Sequence, residues 1–314
     1  MIFYLRKHLT EVNLSQTNFD DLNFFGLLKN CTNLKHINIS DNHKLSDLFS
    51  KLNENDFNTI KGNIKVLSLN LSYCSNLSSN SLHNFEKIFM KLEQLNLEGN
   101  SSMNYNSLNV ISNLMELKSI NITGLNYEEN GDIHFVSSKI QDFIVCLSKV
   151  EQFNLKFCPK FNGDCLSLVS ACWNELTFLD ITCNSQARIS HFEDLIVGCS
   201  KLKTLLIGSC PGVSDEVVYK LVKNLKYLET LDISKNLSIT DKSVKLISKL
   251  GASLKELSLS KCQNINGQSL KFLVFRKCGV SLKFLDISGL PNITNETITQ
   301  LYTLSPNITL VSKL

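Results

Sequence analysis

The 314-residue chain is poor in the residues that specify linkers, and its charges are nearly balanced. It contains 4 Pro and 13 Gly, which excludes long flexible linkers rich in these two residues. With 32 basic and 29 acidic residues, the formal net charge is +3. A charge this close to zero gives no general attraction to nucleic acid or to a membrane surface. We therefore expect neither among the partners.

Long hydrophobic runs are also missing. The first apolar run, Ile2 to Leu5, is too short for a secretory signal, and no later stretch is long enough to span a bilayer. We therefore expect a cytoplasmic or nuclear protein. In such a compartment the 11 Cys residues are expected to be reduced.

The sequence contains no catalytic or metal-binding motif. The P-loop, G-x-S-x-G, H-E-x-x-H and dinucleotide-binding patterns are all missing. Cys158 and Cys165 have the wrong spacing for a zinc site, and the six His residues share no position in the repeat described next. We expect no enzyme activity, no catalytic residue, no cofactor and no metal.

What the chain does contain is a repeat. The pattern L-x-x-L-x-L, with Ile, Val or Phe allowed, recurs mostly every 25 or 26 residues, with longer steps of 32, 33 and 28. The complete copies begin at Leu9, Leu34, Val66, Leu92, Leu117, Val150, Leu176, Leu202, Leu228, Leu254 and Leu282, and a partial copy begins at Ile308.

Each repeat predicts one strand and one helix. The alternating L-x-L suits a short strand with one buried face. The amphipathic run from Asp241 to Lys249 predicts a helix, and Ser214 and Thr240 occupy N-cap positions. Such a unit buries its apolar side only against neighbouring copies. Because strands stack about 4.8 Å apart and helices need about 8–10 Å, the stack curves.

The sequence therefore predicts an α/β solenoid shaped as a horseshoe, with parallel strands on the concave face and helices on the convex face. We expect a single domain over residues 1–314, with about eleven repeats and a truncated twelfth.

Two further positions favour small residues that can donate a hydrogen bond. The turn three residues after the last apolar strand residue holds Asn42, Cys74, Asn100, Leu125, Cys158, Asn184, Cys210, Asn236, Cys262 and Leu290. A second Cys precedes several repeats, at Cys31, Cys146, Cys172, Cys199 and Cys278. We interpret these thiols as buried structural residues interchangeable with Asn. Cys165 and Cys183 lie outside both positions and receive no role.

From about Leu9 to Leu314, the chain resembles the leucine-rich repeat family. The Cys positions, with Val213-Ser214-Asp215 and Ile239-Thr240-Asp241, are similar to the cysteine-containing subfamily. That subfamily is best known from F-box/LRR proteins and the antagonist of mitotic exit network family.

The resemblance implies a non-catalytic protein-interaction solenoid. In F-box/LRR proteins the repeats hold the substrate, and an F-box docks the adaptor of a cullin-type SCF ubiquitin ligase. No F-box-like segment precedes Leu9, so we expect SCF subunits as partners only if a longer form carries one. The alternative is a free-standing scaffold or inhibitor, like the mitotic-exit antagonists or ribonuclease-inhibitor-like proteins.

Function is expected in the strand residues that point to the concave wall. One such column begins with Asn13, Asn38, Asn70, Asn96, Asn121 and Asn154, which we interpret as a ladder of amides bonded to one another. Later repeats carry acidic and apolar residues, a pattern that suits a basic or amphipathic segment of a protein partner. The predicted binding residues are Phe178, Asp180, Leu206, Asp232, Glu256, Phe284 and Asp286. Isolated exposed apolar residues are also common on ordinary surfaces.

One longer step holds an acidic insertion from Asn126 to Phe135. Insertions of this kind either carry contacts or are neutral, and the sequence leaves both open.

Overall fold

The chain forms two compact units, Met1–Lys160 and Phe161–Leu314, called here the N-terminal unit and the C-terminal unit. The computed structural model describes residues 8–49, 54–61, 64–125, 133–158, 160–184, 187–275, 277–291 and 293–312. Most of the insertion predicted from Asn126 to Phe135 lies outside these residues. Strands and helices alternate along both units, and the fold class is the predicted α/β leucine-rich repeat solenoid.

The strands of the N-terminal unit are three residues long and parallel. They are β1 (Glu11–Asn13), β2 (His36–Asn38), β3 (Ser68–Asn70), β4 (Gln94–Asn96), β5 (Ser119–Asn121) and β6 (Gln152–Asn154). Each pairs with the next in sequence, and the third residue of one strand pairs with the third residue of the next. This register confirms the predicted alignment, because it places the six Asn residues in one column.

The helices of the N-terminal unit are irregular in length. They are α1 (Asp21–Asn30), α2 (Glu54–Lys61), α3 (Phe85–Ile88), α4 (Ser107–Ile111) and α5 (Ile133–Cys146). Ser- and Asn-rich segments precede α3 and α4, and these residues favour turns over helix by bonding nearby backbone groups.

Aromatic side chains fill the core beside the short helices. The rings of Phe85 and Phe89 lie 4.6 Å apart, and Phe49 lies 5.9 Å from both Phe24 and Phe89. All four side chains are at most 2% exposed. Large rings thus supply apolar volume where the helical segments are short.

The C-terminal unit has the same strand arrangement with more regular helices. Its strands are β7 (Phe178–Asp180), β8 (Thr204–Leu206), β9 (Thr230–Asp232), β10 (Glu256–Ser258), β11 (Phe284–Asp286) and β12 (Thr309–Val311). Its helices are α6 (Gly163–Cys172), α7 (Ile189–Gly198), α8 (Asp215–Asn224), α9 (Asp241–Leu250), α10 (Gly267–Phe275), α11 (Lys277–Ser281) and α12 (Asn295–Leu304). Neighbouring strands again pair in parallel and in phase.

The predicted N-caps are confirmed in this unit. The Ser214 side chain accepts the backbone N–H of Val217, and the Thr240 side chain accepts that of Lys242. A capping side chain satisfies one of the N–H groups that the first turn of a helix leaves without a partner.

The turn position stabilises the stack through buried hydrogen bonds. Asn236 is 2% exposed and donates Nδ2–H to the carbonyls of Ile207 and Ile233 at 2.9 and 3.0 Å. At the equivalent position Cys262 donates its thiol to Ile233 O at 3.3 Å, and Cys210 donates to Ile181 O at 3.2 Å. Asn and Cys are therefore interchangeable here because both are small donors.

Burial keeps these thiols protonated. It raises the pKa of Cys158, Cys199, Cys210 and Cys278 to about 12 and that of Cys262 to about 11. A thiol is a nucleophile or metal ligand only as the thiolate. Within the described residues, no group of three or more His, Cys, Asp or Glu side chains could hold a metal ion.

The second Cys position is not uniform, contrary to the sequence alignment. Cys31 and Cys199 are helix C-caps and are buried. The C-cap that follows α6 is Trp173. Cys172 thus falls one residue earlier and is only half-buried, and Cys146, likewise the last residue of its helix, is exposed. A shift of one residue rotates a helical side chain by about 100°, which explains the different exposure.

In the described part of the chain, every helix is too short or too polar to cross a membrane.

Candidate functional site

The outward side chains of the strands form the candidate site, called here the strand face. In each strand the middle residue is apolar and points into the core, as Leu205 and Leu231 do at 0% exposed. The first and third residues point away from it, because side chains alternate along a strand. The repeat therefore sets the position of these side chains but leaves their chemistry free.

The third residue of most strands bonds to the backbone that follows it. In the N-terminal unit, the side-chain oxygens of Asn13, Asn38, Asn70, Asn96, Asn121 and Asn154 accept the N–H two residues later at 3.0–3.2 Å. This is the local Asx bond that lets Asn and Asp end a strand in a turn. The predicted ladder of mutually bonded amides is therefore wrong, since the Asn oxygens are used within their own repeats.

These bonds leave the N-terminal strand face polar and mostly uncharged. An Asn whose oxygen accepts from the backbone still has two amide N–H groups to donate. The Asn121 amide donates to Glu98 Oε2 at 2.9 Å, and the Tyr73 hydroxyl donates to Glu98 Oε1 at 2.7 Å. This carboxylate therefore already has partners within the unit.

Aspartate makes the same bond in the C-terminal unit. Asp180, Asp232 and Asp286 accept the N–H two residues later at 2.8, 2.8 and 2.9 Å. These bonds are shorter than those of the Asn column, as expected for a charged acceptor. Asp therefore meets the same backbone requirement as Asn while adding a negative charge to the surface.

The predicted residues are not equally available at the surface. Asp180 is only 5% exposed, so its burial argues against the predicted direct contact, and its oxygen bonds the Thr182 N–H instead. Asp232 and Asp286 are half-buried, and Glu256 is exposed. The apolar Phe178, Leu206 and Phe284 are each half-buried.

The available carboxylates of this face lack the Lys partners that neighbouring acidic residues have. Glu175 and Glu229 pair with lysines of the next repeat at 2.6 and 2.7 Å. Asp232, Glu256 and Asp286 form no ion pair with any residue that the structure describes. Glu256 Oε2 receives a hydrogen bond from the Thr230 hydroxyl at 3.3 Å. The face can therefore accept cationic groups from outside.

From β1 to β11, the third strand residues form a column of Asn and Asp side chains that bond to the following turn, called here the Asx column, and Leu206 of β8 and Ser258 of β10 interrupt it. Leu206 offers no acceptor to the Gly208 N–H, and the Ser258 hydroxyl donates to Asp286 Oδ2 at 3.5 Å rather than accepting the Ser260 N–H. Within the described residues, neither amide has a hydrogen-bond acceptor. Sequence reasoning missed this consequence, although the signal was the Leu and the Ser in a column that Asn and Asp otherwise fill from β1 to β11.

A second feature missed from sequence is a left-handed residue in the turn after the strand. Its φ lies between +53° and +72°, and the position is occupied by Gln16, Asp41, Tyr73, Gly99, Gly124, Phe157, Cys183, Ser209, Lys235, Lys261 and Gly289. Positive φ costs non-Gly residues conformational energy. Only the glycines at three of these positions signalled it.

The parallel in-phase strands and the buried hydrogen bonds at the turn position define the fold as a leucine-rich repeat solenoid. The chain aligns with a chain of the crystal structure of the Rad7 and Elc1 complex in yeast with a TM-score of 0.66, at 15% identity, over 98% of this chain and 82% of that one. It also aligns with an internalin, inlF, of Listeria monocytogenes, with a TM-score of 0.49, at 19% identity, over 91% of this chain and 76% of that one. No protein-family model matches the sequence. At 15% identity the first likeness shows a shared fold and transfers no residue.

Proposed function

We propose that the chain is a non-catalytic protein-binding solenoid that recognises its partner on the strand face of the C-terminal unit. The observation that carries the proposal is the group of three available carboxylates without ion pairs, Asp232, Glu256 and Asp286, beside the half-buried Leu206 and Phe284. Apolar contacts rimmed by charges are typical of protein interfaces.

The partner expected for this face presents basic and apolar side chains. Carboxylates fixed by backbone bonds are already oriented, so little ordering is needed when a cation binds. Opposite charges on the two partners would also speed association and disfavour acidic competitors.

The specific role we propose is substrate recognition of the type found in F-box/LRR proteins of SCF ubiquitin ligases. Two features support it: the Asn/Cys turn column and the Ser-Asp and Thr-Asp helix starts that the chain shares with that subfamily. The fold likeness to a chain from a complex of Rad7 with Elc1 supports assembly with a protein partner. The alternative is a free-standing scaffold or inhibitor.

The test is affinity purification of the tagged full chain from its own cells with the proteasome inhibited. The wild type is compared with Asp232→Lys/Asp286→Lys. The control, Asp142→Lys/Glu296→Lys, makes the same charge change at exposed helical positions.

A partner recovered by the wild type and the control but lost from the strand-face variant would support binding there. Recovery of a cullin and its adaptor would support the SCF role, whereas one abundant partner without ligase subunits would support the scaffold or inhibitor. Identical recovery by all three proteins would contradict the proposal.

A further inference from the structure

The helices of the C-terminal unit carry a group of lysines without ion-pair partners, called here the lysine surface. It consists of Lys223 of α8, Lys242, Lys245 and Lys249 of α9, and Lys271 of α10. The first four side chains are exposed, and the fifth is half-buried. None of the five forms an ion pair with a residue that the structure describes. By contrast, Lys201, Lys220 and Lys255 of the same unit each pair with a Glu.

The repeat places these lysines at equivalent positions of neighbouring helices. The helices α8, α9 and α10 begin 26 residues apart, and each contacts the next. Lys223 therefore corresponds to Lys249, and Lys245 corresponds to Lys271. Packed helices lie about 8–10 Å apart, so like charges face one another and do not stabilise the fold. Natural proteins break local rules of this kind chiefly where function requires it.

The carboxylates of the same helices are used within the fold. Asp215 accepts two backbone N–H groups at the start of α9, at 3.0 and 3.2 Å. Asp241 accepts the N–H and the side-chain amide of Asn266, just before α10, at 2.8 and 2.9 Å. Glu216 pairs with Lys220 at 3.0 Å. Together α8, α9 and α10 hold six Lys and three acidic residues, an excess as large as the net charge of +3 of the whole chain.

An open groove borders the lysine surface. It has a volume of about 770 Å³ and lies between α9, α10 and α12, with Lys245, Lys271 and Phe272 in its lining. The helix α12 contributes Glu296, whose Oε1 accepts from Gln300 Nε2 at 3.0 Å. A groove of this size has room for side chains of a bound segment.

An acidic protein segment fits this surface better than a nucleic acid does. Domains that bind nucleic acid are usually strongly basic, whereas the net charge of this chain is only +3. They also offer open aromatic rings on which bases stack. Here Lys223 and Lys245 lie 5.1 and 5.9 Å from the ring centres of Tyr219 and Phe272, and each ammonium group thus already occupies a position over a ring.

We propose that the lysine surface is a second binding site, which takes an acidic segment of a protein partner across α8, α9 and α10. Carboxylates of that segment pair with the five lysines, and one of its side chains enters the groove beside Phe272. The core separates the helices from the strand face, so both sites can be occupied at once. Beyond the proposed function, the chain would therefore join a basic segment on one face to an acidic segment on the other.

The experiment selects peptides from a random twelve-residue library displayed on phage, using the immobilised wild-type full chain. The affinity of the selected acidic peptides is measured in solution for the wild type and for Lys245→Glu/Lys249→Glu. The control, Lys61→Glu/Lys87→Glu, makes the same charge change at exposed helical lysines of the N-terminal unit. It is matched in its ring contact, because Lys61 Nζ lies 6.0 Å from the ring centre of Phe57.

We expect peptides rich in Asp and Glu, with affinity at least tenfold weaker for Lys245→Glu/Lys249→Glu and unchanged for the control. Asp232→Asn/Asp286→Asn, on the strand face, should bind these peptides as the wild type does. Affinity should fall as salt is added, because the charges are exposed. Thermal unfolding of each variant confirms that it is folded.

Three results would overturn the proposal. No acidic peptide is selected above the background of denatured chain, or both Lys→Glu variants weaken binding equally, which would show only a general attraction. In the third result, a twelve-base-pair DNA duplex or vesicles containing phosphatidylserine bind more tightly than the peptides, so the partner is of another class. Each of these results leaves the strand-face proposal standing, since that proposal depends on other residues.

Discussion

The two units meet the same backbone requirement with different surface chemistry. Each strand ends in a turn whose N–H needs an acceptor, and the N-terminal unit supplies Asn in all six of its repeats. The C-terminal unit supplies Asp three times and omits the acceptor at Leu206 and Ser258. Because Asn and Asp are equivalent for the turn, the choice between them is free to set the charge of the strand face.

The comparison extends to the cores. In the N-terminal unit, α3 and α4 span four and five residues, and clustered Phe rings fill the volume. In the C-terminal unit, α6, α7, α8, α9 and α12 each span ten residues. The strand register is the same in both units, so the strands and turns, rather than the helices, fix the repeat.

The largest difference in stability between the two units is expected at alkaline pH. Four of the five thiols with a pKa of about 11 or 12 lie in the C-terminal unit: Cys199, Cys210, Cys262 and Cys278. Because the folded pKa exceeds the ordinary value of 9.0, their stabilisation is complete below about pH 9 and is lost as the pH rises towards 12. Between these pH values, each buried thiol should lower the free energy of unfolding by about 1.4 kcal/mol per pH unit.

Urea denaturation at pH 8 and pH 10, followed by hydrogen exchange in each unit, measures this loss. The control is Cys210→Asn/Cys262→Asn, which uses the residue found at the same turn position in other repeats. This variant should depend less on pH than the wild type. Equal pH dependence of the two proteins would contradict the assignment of the loss to buried thiols.

A slightly smaller effect on stability is expected at the turn position occupied by Asn and Cys. Asn236→Ala leaves the carbonyls of Ile207 and Ile233 without their Nδ2 donor and the Cys210 N–H without its acceptor at 2.8 Å. The loss should be about 3 kcal/mol of unfolding free energy, since the Ile207 carbonyl and the Cys210 N–H lose a buried partner at about 1–3 kcal/mol each. The Ile233 carbonyl keeps its bond from the Cys262 thiol at 3.3 Å. Asn236→Cys should lose less, because Cys occupies this position in the neighbouring repeats.

Urea denaturation at neutral pH distinguishes the two Asn236 variants. If Ala and Cys were equally destabilising, the thiol would not replace the amide as a donor, and the interchangeability of Asn and Cys would reflect size alone.

Removing a side-chain acceptor from the Asx column of the N-terminal unit should lower stability, whereas adding one to the C-terminal unit should raise it. Asn96→Leu removes the acceptor of the Glu98 N–H in the N-terminal unit and should destabilise the chain by about 1 kcal/mol. Leu206→Asn supplies the missing acceptor to Gly208 and should stabilise it by about 1 kcal/mol. Thermal and urea unfolding of both variants measures the two signs.

A destabilised Leu206→Asn variant would show that the packing of the Leu206 side chain stabilises the fold more than an acceptor for the Gly208 N–H does. An unchanged Asn96→Leu variant would show that water replaces the side-chain acceptor at no cost.

The smallest effect tests whether Asn and Asp are interchangeable in the N-terminal unit. Asn121→Asp keeps the bond to the Thr123 N–H but places a carboxylate against Glu98, to which the amide now donates. The repulsion raises the pKa of the new carboxyl, so a loss of about 0.5–1 kcal/mol at pH 7 should vanish below about pH 4. Asp232→Asn, which has no such neighbour, should change stability little at either pH. A pH-independent loss for Asn121→Asp would rule out charge repulsion.

Much of the fold could be predicted from the sequence because the repeat constrains nearly every apolar position. The spacing predicted the strands, the in-phase register and the caps at Ser214 and Thr240, since these depend on residues close in sequence. The identity of Asn and Cys at the turn also predicted a small buried donor.

The chemistry of the strand face was only partly predictable. Sequence placed Asp232, Glu256 and Asp286 in their columns but not the buried state of Asp180, which depends on packing between repeats. It could not show that each Asn bonds its own turn rather than its neighbour, because both arrangements use the same column. The missing acceptors of the Gly208 and Ser260 amides could be identified only from the positions of the surrounding side chains, since within the described residues neither amide has a hydrogen-bond acceptor.

The most direct test of the account is amide hydrogen exchange at single residues of the free full chain. Gly208 and Ser260 should exchange faster than Ser234 and Ser288, whose amides bond to Asp232 and Asp286 at 2.8 and 2.9 Å. Protection of Gly208 and Ser260 equal to that of Ser234 and Ser288 would contradict the claim that Leu206 and Ser258 interrupt the Asx column and leave these two amides without a side-chain acceptor.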